Sequence, residues 1–125
     1  MTEQPTLAVI RIPRVAVSQA ELNLALKIDV DRYEASRSSG KCAQIDIEDS
    51  QDLWGATLRC IQSIRNPVHE LISAGLIGSP TLDVALKLPD SSLTKSWTIP
   101  ANVAAAAGEM GMDVQLSVYL TGTVT

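Results

Sequence analysis

The sequence contains few of the residue types on which most catalytic and cofactor sites depend. Among its 125 residues there is no Phe, and there are two Trp, two Tyr, two Cys and one His. So few aromatic rings give little surface for stacking bases or sugars, and the core must be built from aliphatic side chains. The single histidine, His69, precedes Glu70 as in a zinc-protease helix, but Ser73 stands where the second histidine is needed. We therefore predict no catalytic residue, no metal site and no cofactor.

Long apolar runs and an excess of positive charge are also absent. The formal net charge is −4, which argues against nucleic-acid binding because that binding depends on Lys and Arg neutralising phosphates. No segment approaches the roughly 20 apolar residues of a membrane span, and Met1–Thr6 lacks the basic-then-apolar order of a secretory signal. Without such a signal, Cys42 and Cys60 are expected to be reduced thiols of a cytoplasmic protein.

Local patterns near the start of the chain predict a strand and a helix. Leu7–Ile12 is an apolar run of strand length that Pro13 should end. Ser18 and Glu21 have the spacing of a capping box, in which each side chain bonds the other residue's backbone N–H. We therefore predict a helix over Gln19–Lys27.

The next part of the chain predicts a loop, a strand and a long helix. Residues 28–41 are polar and indicate a loop, with a short strand at most at its start. Cys42–Ile47 alternates apolar and polar residues, as a strand with one buried face does. Asp49 or Ser50 is suited to cap the following helix, in which Pro67 predicts a kink or a break near Asn66. Its apolar residues recur at steps of three and four: Trp54, Leu58, Ile61, Ile64, Val68, Leu71 and Ile72.

The last third predicts two or three strands and one helix. Thr81–Leu88 alternates, and Ser96–Ile99 is a possible short strand carrying a tryptophan. Pro100 suits the first position of a helix that Gly111 should end. Met112–Thr121 then alternates strictly, with the apolar set expected toward the helices and the polar set on an open face. The apolar set is Met112, Val114, Leu116, Val118 and Leu120.

Together these elements predict an α+β fold, an α/β sandwich, in a single domain over residues 1–125. The predicted order is β-α-β-α-β-(β)-α-β, in which the bracketed strand is 96–99. Strands that alternate, instead of being uniformly apolar, are covered on one face only. We therefore expect a mixed, mainly antiparallel sheet of four or five strands with three helices on one face.

Two surfaces are candidates for binding a partner. Carboxylates that lead into a helix N-terminus match the helix dipole, as an ordinary solvated helix start does, and the alternative is a docking patch for a basic protein. These carboxylates are Asp46, Glu48, Asp49 and Asp52. The open sheet face is the second candidate, because an aromatic residue on a polar face is typical of a binding hot spot. Its candidate residues are Asp83, Asp113, Gln115 and Tyr119.

Three segments carry a resemblance to a known family. Residues 82–88 read LDVALKL, 97–100 read WTIP and 111–119 read GMDVQLSVY. The last segment, with its Gly, alternation and Tyr, is similar to the closing strand of a bacterial domain family of unknown function found near polymorphic toxin and immunity genes. The order of elements over Thr6–Leu120 also resembles that family, although its usual Trp is missing from Cys42–Ile47. The resemblance implies a non-enzymatic protein, an immunity protein that neutralises a toxin by binding it.

The leading hypothesis is therefore an immunity-type protein that covers a basic toxin domain with an acidic surface. One rival is a small enzyme that uses carboxylates such as Asp46 and Asp113 for acid–base chemistry, which requires at least one of them to be buried. The other rival is a homodimer that pairs through its sheet and has a structural role.

Overall fold

The computed structural model of the chain describes residues 7–36, 40–89 and 96–121. Within these ranges five strands and three helices follow one another in the order β-α-β-β-α-β-α-β. The elements are β1 (Leu7–Val15), α1 (Gln19–Leu26), β2 (Arg32–Ser36), β3 (Gly40–Ile47), α2 (Leu53–Ser73), β4 (Thr81–Pro89), α3 (Ala101–Glu109) and β5 (Asp113–Thr121).

The strands form one mixed sheet in the order β2-β3-β1-β4-β5. β1 pairs antiparallel with β3 and β4, and β2 pairs antiparallel with β3, whereas β4 and β5 are parallel. The first six elements have the split β-α-β topology of ferredoxin-like domains, and α3 with β5 adds one parallel strand to that sheet. The predicted α+β class, with a mainly antiparallel sheet and three helices, is confirmed.

One aliphatic core lies between the sheet and the helices. Each fully buried Leu or Ile in it contributes roughly 1.5–3 kcal/mol relative to an exposed side chain. The predicted apolar stripe of α2 faces this core and fills the space over the centre of the sheet. The inward-facing strand residues are Ala8, Ile10, Ile12, Ala43, Ile45, Ile47, Leu82, Val84 and Leu86.

The helix starts are set by side-chain caps. In α1 the predicted capping box is present: the N–H of Glu21 donates to Ser18 Oγ at 3.2 Å, and the N–H of Ser18 donates to Glu21 Oε1 at 3.4 Å. The N-cap of α2 is Asp52, so the prediction of Asp49 or Ser50 at that position is wrong. The difference arises because Asp49 caps the turn that precedes the helix instead.

Two strand predictions are also wrong. A full strand, β2, occupies Arg32–Ser36 and forms a hairpin with β3, where the sequence indicates a loop. Tyr33 explains this, since its ring is half-buried on the core side and its hydroxyl donates to the carbonyl of Val17. The segment 96–100 contains no strand, and Trp97 packs there against the core.

Two prolines lie within elements that they were predicted to interrupt. β1 continues past Pro13 to Val15, with an irregular pairing to β3 in place of an end. α2 continues through Pro67 to Ser73, so the helix is not broken at Asn66. The buried stripe on both sides of the proline holds the two halves of α2 against the sheet and offsets the missing ladder bond. None of the described helices combines the length and the apolarity that crossing a bilayer requires.

β5 lies at an edge of the sheet, and its apolar side is only partly covered. Met112, just before the strand, is buried, and Val114 is half-buried. Leu116 and Val118, however, are 50% and 51% exposed. The prediction that these two side chains are buried is therefore wrong, because a strand with a neighbour on one side only leaves its outer flank open.

Candidate functional site

The predicted acidic cluster is assembled at one end of the sheet together with a fifth carboxylate. Asp31, just before β2, accepts a hydrogen bond at Oδ2 from the backbone N–H of Asp46, at 2.6 Å. Asp46 itself accepts from Gln44 Nε2 at 2.8 Å. The ion pairs found among the described residues involve none of these carboxylates. We name this group the acidic end; its members are Asp31, Asp46, Glu48, Asp49 and Asp52.

Two members of the acidic end organise the start of α2. Asp49 Oδ1 accepts from the backbone N–H groups of Gln51 and Asp52, at 2.9 and 2.8 Å. Asp52 Oδ1 accepts from the N–H of Gly55 at 3.0 Å. Because these N–H donors favour the charged form, the pKa of the Asp49 carboxyl is lowered, with the backbone bond from Asp52 as the largest cause. These hydrogen bonds hold both carboxylates in place at the start of α2.

The lowered pKa of Asp49 predicts a change of stability with pH. In the folded protein the pKa of Asp49 lies below the ordinary value of 3.8. The ionised side chain therefore contributes fully to the free energy of unfolding above pH 3.8, and this contribution is lost as the pH falls through the folded pKa. The gap in free energy of unfolding between wild type and Asp49→Asn should therefore shrink between about pH 5 and about pH 2.5. Urea titrations across this range provide the measurement. For Ser50→Ala, in the same turn, the gap should not change with pH; a constant gap for both variants would contradict the assignment.

The open sheet face presents rows of side chains that cross the strands. One row runs from Asp46 on β3 through Val9 and Asp83 to Gln115 on β5. The next row joins Gln44, Arg11, Thr81 and Asp113 in the same way. Residues paired across strands lie on the same face. The predicted open-face residues therefore do share one face, which the helices leave uncovered.

Asp83 is on this face but is not available to a partner. It is 7% exposed, and its Oδ2 lies 2.6 Å from Nη1 of Arg11 on the neighbouring strand. Ser117 Oγ donates to its other oxygen at 2.7 Å. This network joins β1, β4 and β5 at the centre of the face. Asp83 is therefore a structural carboxylate, and the prediction that it contacts a partner does not fit its burial.

A shallow depression of about 250 Å³ lies on the same face beside this network. Arg11 and Arg32 bring two guanidinium groups to it, and Gln115 lies at its β5 side. Arg11 already pairs with Asp83, so its charge is largely neutralised within the chain. The other lining residues are Pro13, Glu34, Cys42, Ala43, Gln44 and Thr81.

The carboxylates considered for acid–base chemistry are not close to each other. Asp46 is on β3 and Asp113 on β5, with β1 and β4 between them. Three strand spacings and an offset of two residues along the strands place their Cα atoms about 16 Å apart, whereas the paired carboxylates of a hydrolase lie within about 10 Å. Among the described residues, no group of three or more His, Cys, Asp or Glu is placed to hold a metal ion.

The remaining candidates lie along β5. Asp113 and Gln115 are exposed, and the ring of Tyr119 is 58% exposed. Sequence reasoning placed these three correctly on the open face. It missed Asp31 and Arg11, because the first contacts Asp46 across a hairpin and the second meets Asp83 from a distant part of the chain. The charged Arg11 within an apolar strand was the one available signal.

The two cysteines are thiols, and no disulfide joins them. Cys60 is half-buried in α2, and this burial raises the pKa of its thiol, with the negative charge of Asp31 adding to the shift. A raised pKa lowers the thiolate fraction and with it the nucleophilicity of the group. Cys60 is therefore suited to packing and not to nucleophilic chemistry.

Two surfaces stand out from this geometry. The acidic end lies on β3 and the start of α2, and the exposed edge of β5 lies three strands away. The first offers fixed negative charge; the second offers apolar side chains and the backbone of an edge strand. Comparison with known proteins assigns neither surface a role, since no family model, no curated protein and no solved structure matches this chain.

Proposed function

We propose that this chain is a non-enzymatic protein-binding module, an immunity-type inhibitor that docks its acidic end on the basic surface of a toxin in the cytoplasm. The observation that carries the proposal is the fixed arrangement of the acidic carboxylates. Four of the five accept a hydrogen bond from within the chain: Asp31, Asp46, Asp49 and Asp52. A surface held in place before binding loses little side-chain entropy when a partner docks.

The charge of the acidic end determines which partner it favours. Among the described residues the five carboxylates form no ion pair, and Arg59, nearly two turns into α2, contributes to the lowered pKa of Asp49. Such a surface attracts a partner rich in Lys and Arg and repels acidic ones. A basic active-site cleft, of the kind that binds phosphate-bearing substrates, has this chemistry. The resemblance to domains encoded beside toxin genes agrees with such a partner.

Co-expression with the product of the adjacent gene tests the proposal. We expect the adjacent product alone to stop growth of the host and the pair to restore it, with a complex of the two proteins recovered. The association rate constants of variants then test whether the acidic end is the docking site. Glu48→Lys should lower the association rate constant about three- to tenfold at low salt, and less at physiological ionic strength because of screening.

Glu70→Lys is the matched control for this variant. Glu70 is also exposed, and its reversal changes the net charge by the same amount. It lies 18 residues beyond Asp52 along α2, which is about 27 Å. If Glu48→Lys and Glu70→Lys slow association equally, only net charge matters and the acidic end is not the docking site. A harmless neighbouring product that forms no complex would refute the proposal itself.

A further inference from the structure

We infer that β5 pairs antiparallel with β5 of a second copy of this chain, about a two-fold axis at Ser117, to give one continuous ten-stranded sheet. This surface is separate from the acidic end, so the inference does not depend on the proposed function. It rests on the exposed backbone of β5, on the side chains beside it and on the distribution of charge.

β5 has the features of an edge strand that pairs with another strand. Within the described residues nothing pairs with its outer side, and the strand is nine residues long. Natural sheets protect such edges with Lys, Pro, bulges or short strands. β5 contains no Lys, Arg or Pro, and its pairing with β4 runs through all nine residues without a bulge. β5 therefore lacks each of these protections.

The opposite edge of the same sheet shows the contrast. β2 has five residues and carries Arg32 and Glu34, which are both exposed. A short, charged strand of this kind resists pairing with another chain. Of the two edge strands of the described sheet, β2 is therefore protected against pairing with another chain and β5 is not.

The side chains of β5 are self-complementary in one register. Antiparallel pairing centred on Ser117 matches all nine residues, which is the longest ladder that two β5 strands can form. It places Leu116 of one copy opposite Val118 of the other, on both sides of the axis. These are two of the most exposed large apolar side chains on the described surface. Pairing them removes apolar surface from water at two symmetric positions.

The other face of β5 and the charges also fit a second copy. In this register Tyr119 lies opposite Gln115 of the second copy, a polar–aromatic pair. Asp113 is the strand's only charge, and it lies opposite Thr121 and eight residues from the second Asp113, so like charges are not paired. The acidic ends are three strands from the contact in each copy, at the far sides of the joint sheet. The acidic ends therefore do not face each other across the proposed contact.

Sedimentation velocity of the whole chain over about 10 to 200 µM tests the inference. We expect a dimer that dissociates on dilution, and a monomer at every concentration for the double variant Leu116→Lys with Val118→Lys. Leu24→Lys is the control for introducing a lysine at an exposed apolar position away from β5, because Leu24 is 81% exposed on α1; this variant should still form dimers. Circular dichroism and thermal melting establish that each variant is folded.

A cross-linking experiment defines the register and does not depend on the lysine variants folding. An equimolar mixture of Gln115→Cys and Tyr119→Cys chains should form an intermolecular disulfide on mild oxidation, whereas either variant alone should not. A wild-type chain that is monomeric throughout would overturn the inference, as would a dimer that the double lysine variant leaves intact. Cross-linking of either variant with itself, but not of the mixture, would overturn the register. None of these outcomes depends on whether a toxin binds the acidic end.

Discussion

Replacing Asp83 with alanine is expected to lower the free energy of unfolding by about 2 to 3 kcal/mol, because a buried carboxylate with two partners is lost. The change removes the bond from Arg11 at 2.6 Å and the bond from Ser117 at 2.7 Å. Arg11 is 48% exposed, so its guanidinium regains water and the loss stays below that of a fully buried pair. Ser117, half-buried on β5, has less access to water to replace its bond.

Urea unfolding measures this effect, and two further variants locate its cause. Asp83→Asn keeps an oxygen for Ser117 and should lose about half as much stability as Asp83→Ala. Asp113→Ala makes the same change at an exposed position and should stay within about 0.5 kcal/mol of wild type. Equal losses for Asp83→Ala and Asp113→Ala would show that the network on the open face does not stabilise the sheet.

The second large effect is expected on α1, where two leucines two positions apart have opposite environments. Leu22 is fully buried against the core, whereas Leu24 is 81% exposed. Leu22→Ala should lower the free energy of unfolding by about 2.5 to 4 kcal/mol, because it removes buried methyl groups and leaves a cavity. Leu24→Ala should change it by no more than about 0.5 kcal/mol.

The same urea titrations compare the two leucine variants. Both substitutions are Leu→Ala in the same helix, so the changes in side-chain hydrophobicity and in intrinsic helix propensity are the same for both. The difference between them is therefore a direct measure of burial on α1. Comparable losses at the two positions would mean that α1 packs with a different face against the sheet. A small decrease in the free energy of unfolding for both variants would mean that α1 contributes little to the stability of the core.

The sequence predicts the structure correctly where that structure is determined by residues close together along the chain. The capping box of Ser18 and Glu21 predicts the start of α1, because both hydrogen bonds close within one turn. The apolar stripe of α2 and the alternation of β3 and β4 predict which side chains are buried for the same reason. The fold class follows from the order of these elements.

Prediction failed where the outcome depends on distant partners. The alternation of β5 indicates which residues share a face, but not whether a helix covers that face, and it therefore wrongly predicts that Leu116 and Val118 are buried. Asp83 has the polar pattern of a solvent-facing residue, and its burial depends on Arg11, 72 positions earlier. The sequence does not predict β2, because its charged residues are typical of a loop. The strand is evident only from its pairing with β3.

The position of β1 in the sheet has a consequence for synthesis of the chain. β1 is the first strand made, yet it lies at the centre, and its partner β4 follows about 70 residues later, as the spacing of 72 between Arg11 and Asp83 shows. At about 5 to 20 residues per second, a ribosome needs several seconds to supply that partner. During this interval the apolar β1 has an open side, and closing so distant a contact is slow. This topology therefore leaves an apolar strand edge unpaired for several seconds of synthesis, which is the stage at which the chain is most exposed to association with other chains.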